Sequence, residues 1–117
     1  MATVRQFEDL EVWQKSISLV QEIYLQFKDC KDYGFKDQIQ RASVSIPSNI
    51  AEGFERNTDQ DTSRFFIIAK SSAGEVRTQL HIAFLLGYVQ EIESITLIEK
   101  ATTISKMLAT LIKYRLK

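Results

Sequence analysis

The stretch RASVSIPSNIAEGFER, residues 41–56, decides how this chain folds. It carries the only proline of the chain, Pro47, set among Ser, Ala and Gly. A proline inside a helix removes the hydrogen bond to the carbonyl four residues back, here that of Ser43, and crowds it, at a cost of about 3 kcal/mol. Two conformations are open. The helix can break and restart, with Asn49 and Glu52 as a capping box, or it can run on with a kink at Pro47. Ile39, Ala42, Ile46, Ile50, Gly53 and Phe54 keep one helical phase across the proline, and this favours the kinked helix.

Working outward, the rest of the chain is written in long elements. It has 117 residues with four Gly and one Pro, so few turns are encoded. A chain of this length forms one domain, residues 1–117, with a core that needs no disulfide or metal. Leu10, Trp13, Ile17, Val20, Tyr24 and Phe27 recur in steps of three and four and make the stripe of a first helix, about 10–28. Val12, Leu19 and Ile23 broaden it. Gly34 in DCKDYG reads as the flexible turn position before a second helix, about 35–56. Thr58 followed by Asp61 is a capping signature. It opens a third helix, about 59–86, carrying Phe65, Ala69, Ser72, Val76, Leu80, Ala83 and Leu86, with Gly87 as its stop. The fourth, about 91–115, carries Ile95, Ile98, Ala101, Ser105, Leu108 and Ile112. No segment alternates at period two for long enough to be a strand. Short connections make neighbours antiparallel, so the expected fold is an all-α, up-down-up-down four-helix bundle.

Composition narrows function. Fifteen basic and fifteen acidic residues balance, which gives no global pull toward nucleic acid or an anionic membrane. The distribution is uneven, because Lys100, Lys106, Lys113, Arg115 and Lys117 follow one another with no acid between them. Those cations complement the negative pole of the fourth helix. No run of about 18 apolar residues is present, so no membrane helix is expected. Cys30 is the only thiol, which suits a reducing cytoplasm.

Catalytic and cofactor patterns are missing. A metal-binding bundle needs Glu-x-x-His pairs on two helices. His81 is the only histidine, and Thr78 stands three before it. No glycine-rich phosphate loop is present. No metal, cofactor or small-molecule substrate is expected. What remains is a set of polar residues beside apolar faces: Arg41, Asn49 and Glu52 on the second helix, Glu75 and Gln79 on the third. The expectation is a structural hydrogen-bonded cluster between these helices, since buried polar groups are normally mutually satisfied. The small residues Ala42, Ser45, Pro47, Ala51 and Gly53 would form a helix-packing seam, faced by Ala69, Ser71, Ser72, Ala73 and Gly74 of the third helix.

Three blocks, LEVWQKSISLVQEIY, YGFKDQIQRASVSIPSNIAEGFERN and RFFIIAKSSAGEVRTQL, resemble in order and spacing the signature of the four-helix-bundle family of 23S ribosomal RNA intervening-sequence proteins. The likeness spans about residues 7–89, and the fourth helix matches in character only. The family pattern falls on Trp13, Gln38, Arg41, Ala42, Ser45, Ile46, Pro47 and Asn49. It continues on Ile50, Ala51, Glu52, Gly53, Glu75 and Gln79. The resemblance implies a bacterial cytoplasmic protein that assembles into a ring-like homopentamer. A related branch, the accessory variability determinant of diversity-generating retroelements, binds nucleic acid and a reverse transcriptase. The expected function is therefore a non-enzymatic homo-oligomeric scaffold for an RNA, DNA or protein partner. The alternative is nucleic-acid binding through a basic rim of Lys106, Lys113, Arg115 and Lys117.

Overall fold

A computed structural model describes residues 4–115, with the side chain of Arg115 left out. It is an all-α four-helix bundle, and no strand occurs among the described residues. A 3₁₀ turn at Phe7–Asp9 leads into α1 (Glu11–Gln26), α2 (Tyr33–Phe54), α3 (Asp59–Leu85) and α4 (Glu91–Arg115). The 3₁₀ turn was not visible as a period. It is held by Asp9, whose Oδ2 accepts from the backbone N–H groups of Arg5 and Gln6, and by Phe7 packing on Trp13 at 5.4 Å between ring centroids.

α2 runs through Pro47 without a break. Asn49 does not restart the helix; its Nδ2 donates to the Ser45 carbonyl at 2.8 Å and to Ser45 Oγ at 3.0 Å. The start of α2 lies two residues earlier than the sequence pattern suggested. Asp32 caps it by accepting from Phe35 N–H at 3.2 Å, so Gly34 sits in the first helical turn and not in a left-handed one. The positive-φ glycine is Gly87, at φ 79°. There the N–H of Tyr88 reaches the Ala83 carbonyl and that of Gly87 the Phe84 carbonyl, the pair of bonds that closes a helix on a left-handed residue. Thr58 caps α3 through Asp61 N–H at 3.1 Å.

Each helix packs on two neighbours: α1 on α2 and α4, α3 on α2 and α4. The backbones of the diagonal pairs do not approach, so the four helices follow one another round a closed ring. Between α1 and α4, Glu22 lies by Glu93 and Lys15 by Lys100, while Leu10 lies by Leu111. The two helices are therefore antiparallel. The core stripe of α1 is Val12, Ser16, Leu19 and Ile23, continued by buried Phe27 just past its end. The stripe of Trp13, Ile17 and Val20 is only half-buried, and Tyr24 is exposed. On α4 the buried side is Ser94, Leu97, Ala101, Ile104, Ser105 and Leu108. Ile95, expected inside, is 46% exposed. On α3 the ring that goes inside is Phe66, while Phe65 lies under the guanidinium groups of Arg56 and Arg64.

Candidate functional site

The expected polar cluster does not assemble within the chain. Arg41 is 78% exposed and pairs with Asp37 one turn back at 2.8 Å. Glu52 is exposed and pairs with Arg56 one turn on. Glu75 is exposed on α3, and no hydrogen bond joins it to Glu52. The physical reason is local. Position 41 stands about 100° around the helix from buried Ala42, and charges with an i,i+4 partner keep their hydration. Of the five residues, Gln79 is buried and its Oε1 has no partner. Asn49 belongs instead to a short relay from Asn49 Nδ2 to Ser45 Oγ, which meets Ser72 Oγ on α3 at 2.9 Å.

The small residues of α2 divide between two neighbours. Ser45 and Gly53 face α3. A Cβ on Gly53 would stand 2.9 Å from the Phe66 ring and 3.0 Å from the Thr62 carbonyl oxygen. Pro47 and Ala51 instead face α1. With Trp13, Ile17, Val20 and Val44 they line a groove of about 300 Å³ between α1 and α2. Apolar side chains dominate this groove, and none of its residues is charged.

A second groove, of about 530 Å³, lies between α3 and α4. Ile67, Lys70, Ser71, Gly74 and Arg77 form its α3 wall, and Ser105, Ala109, Ile112 and Lys113 its α4 wall. Three cations and no acid line it. Sequence reading found Lys113 and missed Lys70 and Arg77. The signal was there: positions 70, 74 and 77 share one face of α3. Lys106 is exposed outside this groove. The Arg115 side chain and Lys117 lie outside the described residues.

Among the described residues no group of three His, Cys, Asp or Glu side chains could hold a metal. No described helix is long and apolar enough to cross a membrane. At one end of the bundle, Tyr88 donates to Asp32 at 2.6 Å and ties the α3–α4 turn to the α1–α2 turn. This bond, with the N–H of Phe35, holds the Asp32 carboxyl below its usual range, and the same bond pushes the Tyr88 phenol up.

A four-helix bundle with a proline carried inside its second helix, a serine–serine bridge between α2 and α3, and the IPSNIAEG segment wrapped between α1 and α3 defines the class. The family model of the 23S rRNA-intervening sequence protein matches residues 8–110, and the chain belongs to that family. Among solved structures, the chain is similar to a protein of unknown function from the S23 ribosomal protein family of Bacteroides thetaiotaomicron. The TM-score is 0.82 at 25% identity, covering 87% of this chain and 98% of that one. No curated protein matches the chain.

Proposed function

We propose that this chain is a non-enzymatic assembly protein that closes into a homo-oligomeric ring, five subunits by its family resemblance, and scaffolds a partner macromolecule. The observation that carries this is the apolar groove between α1 and α2, where Trp13, Ile17, Val20 and Val44 stay open to solvent in the single chain. Uncovered apolar faces of this kind mark association surfaces. A second and different apolar patch sits by the α3–α4 corner, where Leu85, Leu86 and Ile92 are 79%, 56% and 64% exposed. Two unlike patches on one subunit suit head-to-tail contacts, which close into rings. The test is the mass in solution. The native chain is expected at a multiple of 13.5 kDa, and Val44→Glu, which places a charge in an exposed part of the groove, is expected at one chain with unchanged helicity. A native mass of one chain at micromolar concentration overturns the proposal.

A second reading is nucleic-acid binding by the basic end of α4. It is favoured by Lys106 and Lys113, both exposed and without an acidic partner among the described residues. Repeated around a ring, they would form a basic rim. Binding that rests on phosphate contacts falls steeply with salt. Fluorescence anisotropy with structured RNA fragments, titrated in salt, tests it against a Lys106→Gln/Lys113→Gln variant. Flat salt dependence removes this reading.

A further inference from the structure

The groove between α3 and α4 is built to hold an anion, and we propose that it binds a linear phosphoanion carrying at least two phosphate groups. Three observations converge there. The first is charge. Lys70, Arg77 and Lys113 line the groove, no carboxylate does, and none of the three forms an ion pair with a described residue. This stands out in a chain whose formal net charge is zero. The pairs that do form, such as Arg41 with Asp37 and Arg56 with Glu52, lie elsewhere.

The second observation is a pair of unused donors. Ser105 is 7% exposed and its hydroxyl has no partner. The contrast along α4 is sharp. Thr96, Thr102, Thr103 and Thr110 each bond a carbonyl of their own helix, and Ser94 bonds the Leu80 carbonyl. In the same groove, Arg77 Nε is shielded and also lacks an acceptor. Buried donors without partners cost stability unless something supplies an acceptor.

The third is Gly74. It stands inside α3, where glycine costs about 0.5–1 kcal/mol relative to alanine. No packing among the described residues requires it, because a Cβ there would meet none of them within 4 Å. What its missing side chain leaves is room in the groove wall.

The ligand class follows from these groups. A guanidinium fork and lysine ammonium groups are the side chains that hold phosphate oxygens. Arg77 lies about 10 Å along the helix from Lys70, at 1.5 Å per residue. Because α4 runs antiparallel, Lys113 lies toward the Ile67 end, away from Arg77. One phosphate cannot reach both ends, whereas a chain of phosphates can. Ile67, Ala109 and Ile112 supply apolar wall between the charges. The site does not depend on the oligomer contact proposed above. With neighbours in the order α1, α2, α3, α4 round the bundle, the α1–α2 and α3–α4 grooves lie on opposite sides.

Inorganic tripolyphosphate is the first probe, measured by calorimetry on the full chain at about 50 mM salt, where phosphate contacts are strong. Arg77→Gln is expected to weaken binding about ten- to hundredfold, the range for a lost charge-assisted bond. Lys106→Gln, a cation of the same helix end outside the groove, is expected to leave it unchanged. Gly74→Leu is the decisive variant. It is expected to fill the groove and abolish binding without lowering the melting temperature. A labelled single-stranded oligonucleotide distinguishes the source of the phosphates. Displacement of the strand by tripolyphosphate places a nucleic-acid backbone in the groove. Tripolyphosphate binding without strand binding makes the ligand a free polyphosphate. Absence of binding to either probe, or affinity that Arg77→Gln and Gly74→Leu leave intact, overturns the proposal.

Discussion

Gly53 and Gly74 face opposite situations, although both sit inside long helices of one bundle. At Gly53 the neighbouring helix has closed in until a single added carbon would meet Phe66 and the Thr62 backbone. At Gly74 the same added carbon would meet nothing. The α2–α3 crossing has spent its small residues on close approach, with Ser45 and Ser72 in contact across it. The α3–α4 side has kept its small residues and left an open groove. Small residues in a helix therefore mean contact in one place and vacancy in another, and only the neighbour decides which.

The contrast can be broken at Gly53 most forcefully. Gly53→Leu is expected to destabilise by about 1–3 kcal/mol or more through overpacking, read as a fall in melting temperature of several degrees. A melting temperature equal to the native one would mean that α2 and α3 are not tightly joined. Ser45→Ala tests the polar part of the same crossing. It leaves the Ser72 hydroxyl without a partner and Asn49 with the Ser45 carbonyl alone, and is expected to cost about 1 kcal/mol. Ser45→Ala/Ser72→Ala should then cost less than the sum of the two single changes, as denaturant titration of all four proteins would show. Gly74→Ala should act with the opposite sign, stabilising by about 0.5–1 kcal/mol through helix propensity. A loss of stability there would show that the groove wall is already filled. Glu52→Ala sits at the small end, at about 0.3–0.5 kcal/mol, because an exposed i,i+4 pair is worth no more.

The bond between Asp32 and Tyr88 sharpens the comparison by pH. The Asp32 carboxyl lies below its ordinary 3.8 and the Tyr88 phenol above its ordinary 10.0. A depressed carboxylate stabilises the fold above its unfolded value, and that contribution fades as pH falls through the folded one. A raised phenol stabilises below its unfolded value, and that contribution fades as pH rises through the folded one. The bond therefore holds through the neutral range and is lost at both extremes. Tyr88→Phe should flatten the decline of melting temperature below pH 3.8. An unchanged acid limb would show that this bond does not join the two turns.

Much of the fold is written locally, and so was legible. Thr58 and Gly87 act where capping chemistry puts them, and the apolar phase carries α2 across Pro47. The places where reading stopped are those where two answers satisfy the same pattern. On α1, two apolar stripes lie side by side, and a period cannot say which one turns inward. On α4, Ile95 and Leu97 compete in the same way, and Leu97 is buried. Arg41, Glu52 and Glu75 drew attention as polar residues near a core, yet the first two have a partner of opposite charge one turn away. The α3–α4 groove was half-legible. Its α4 cation, Lys113, belongs to the basic run at the end of the sequence, whereas Lys70 and Arg77 join it only through packing.

Leu10 and Glu11 at the head of α1 lie beside Met107, Thr110 and Leu111 near the foot of α4. An even number of antiparallel helices brings the path of the chain back to the side it left. A backbone cut in the exposed turn at residues 55–58, with a short tether from the foot of α4 to the head of α1, would preserve every helix and every neighbour. The bundle is thus a circle in all but its covalent bonds, and cargo hung on either end would emerge from the same pole.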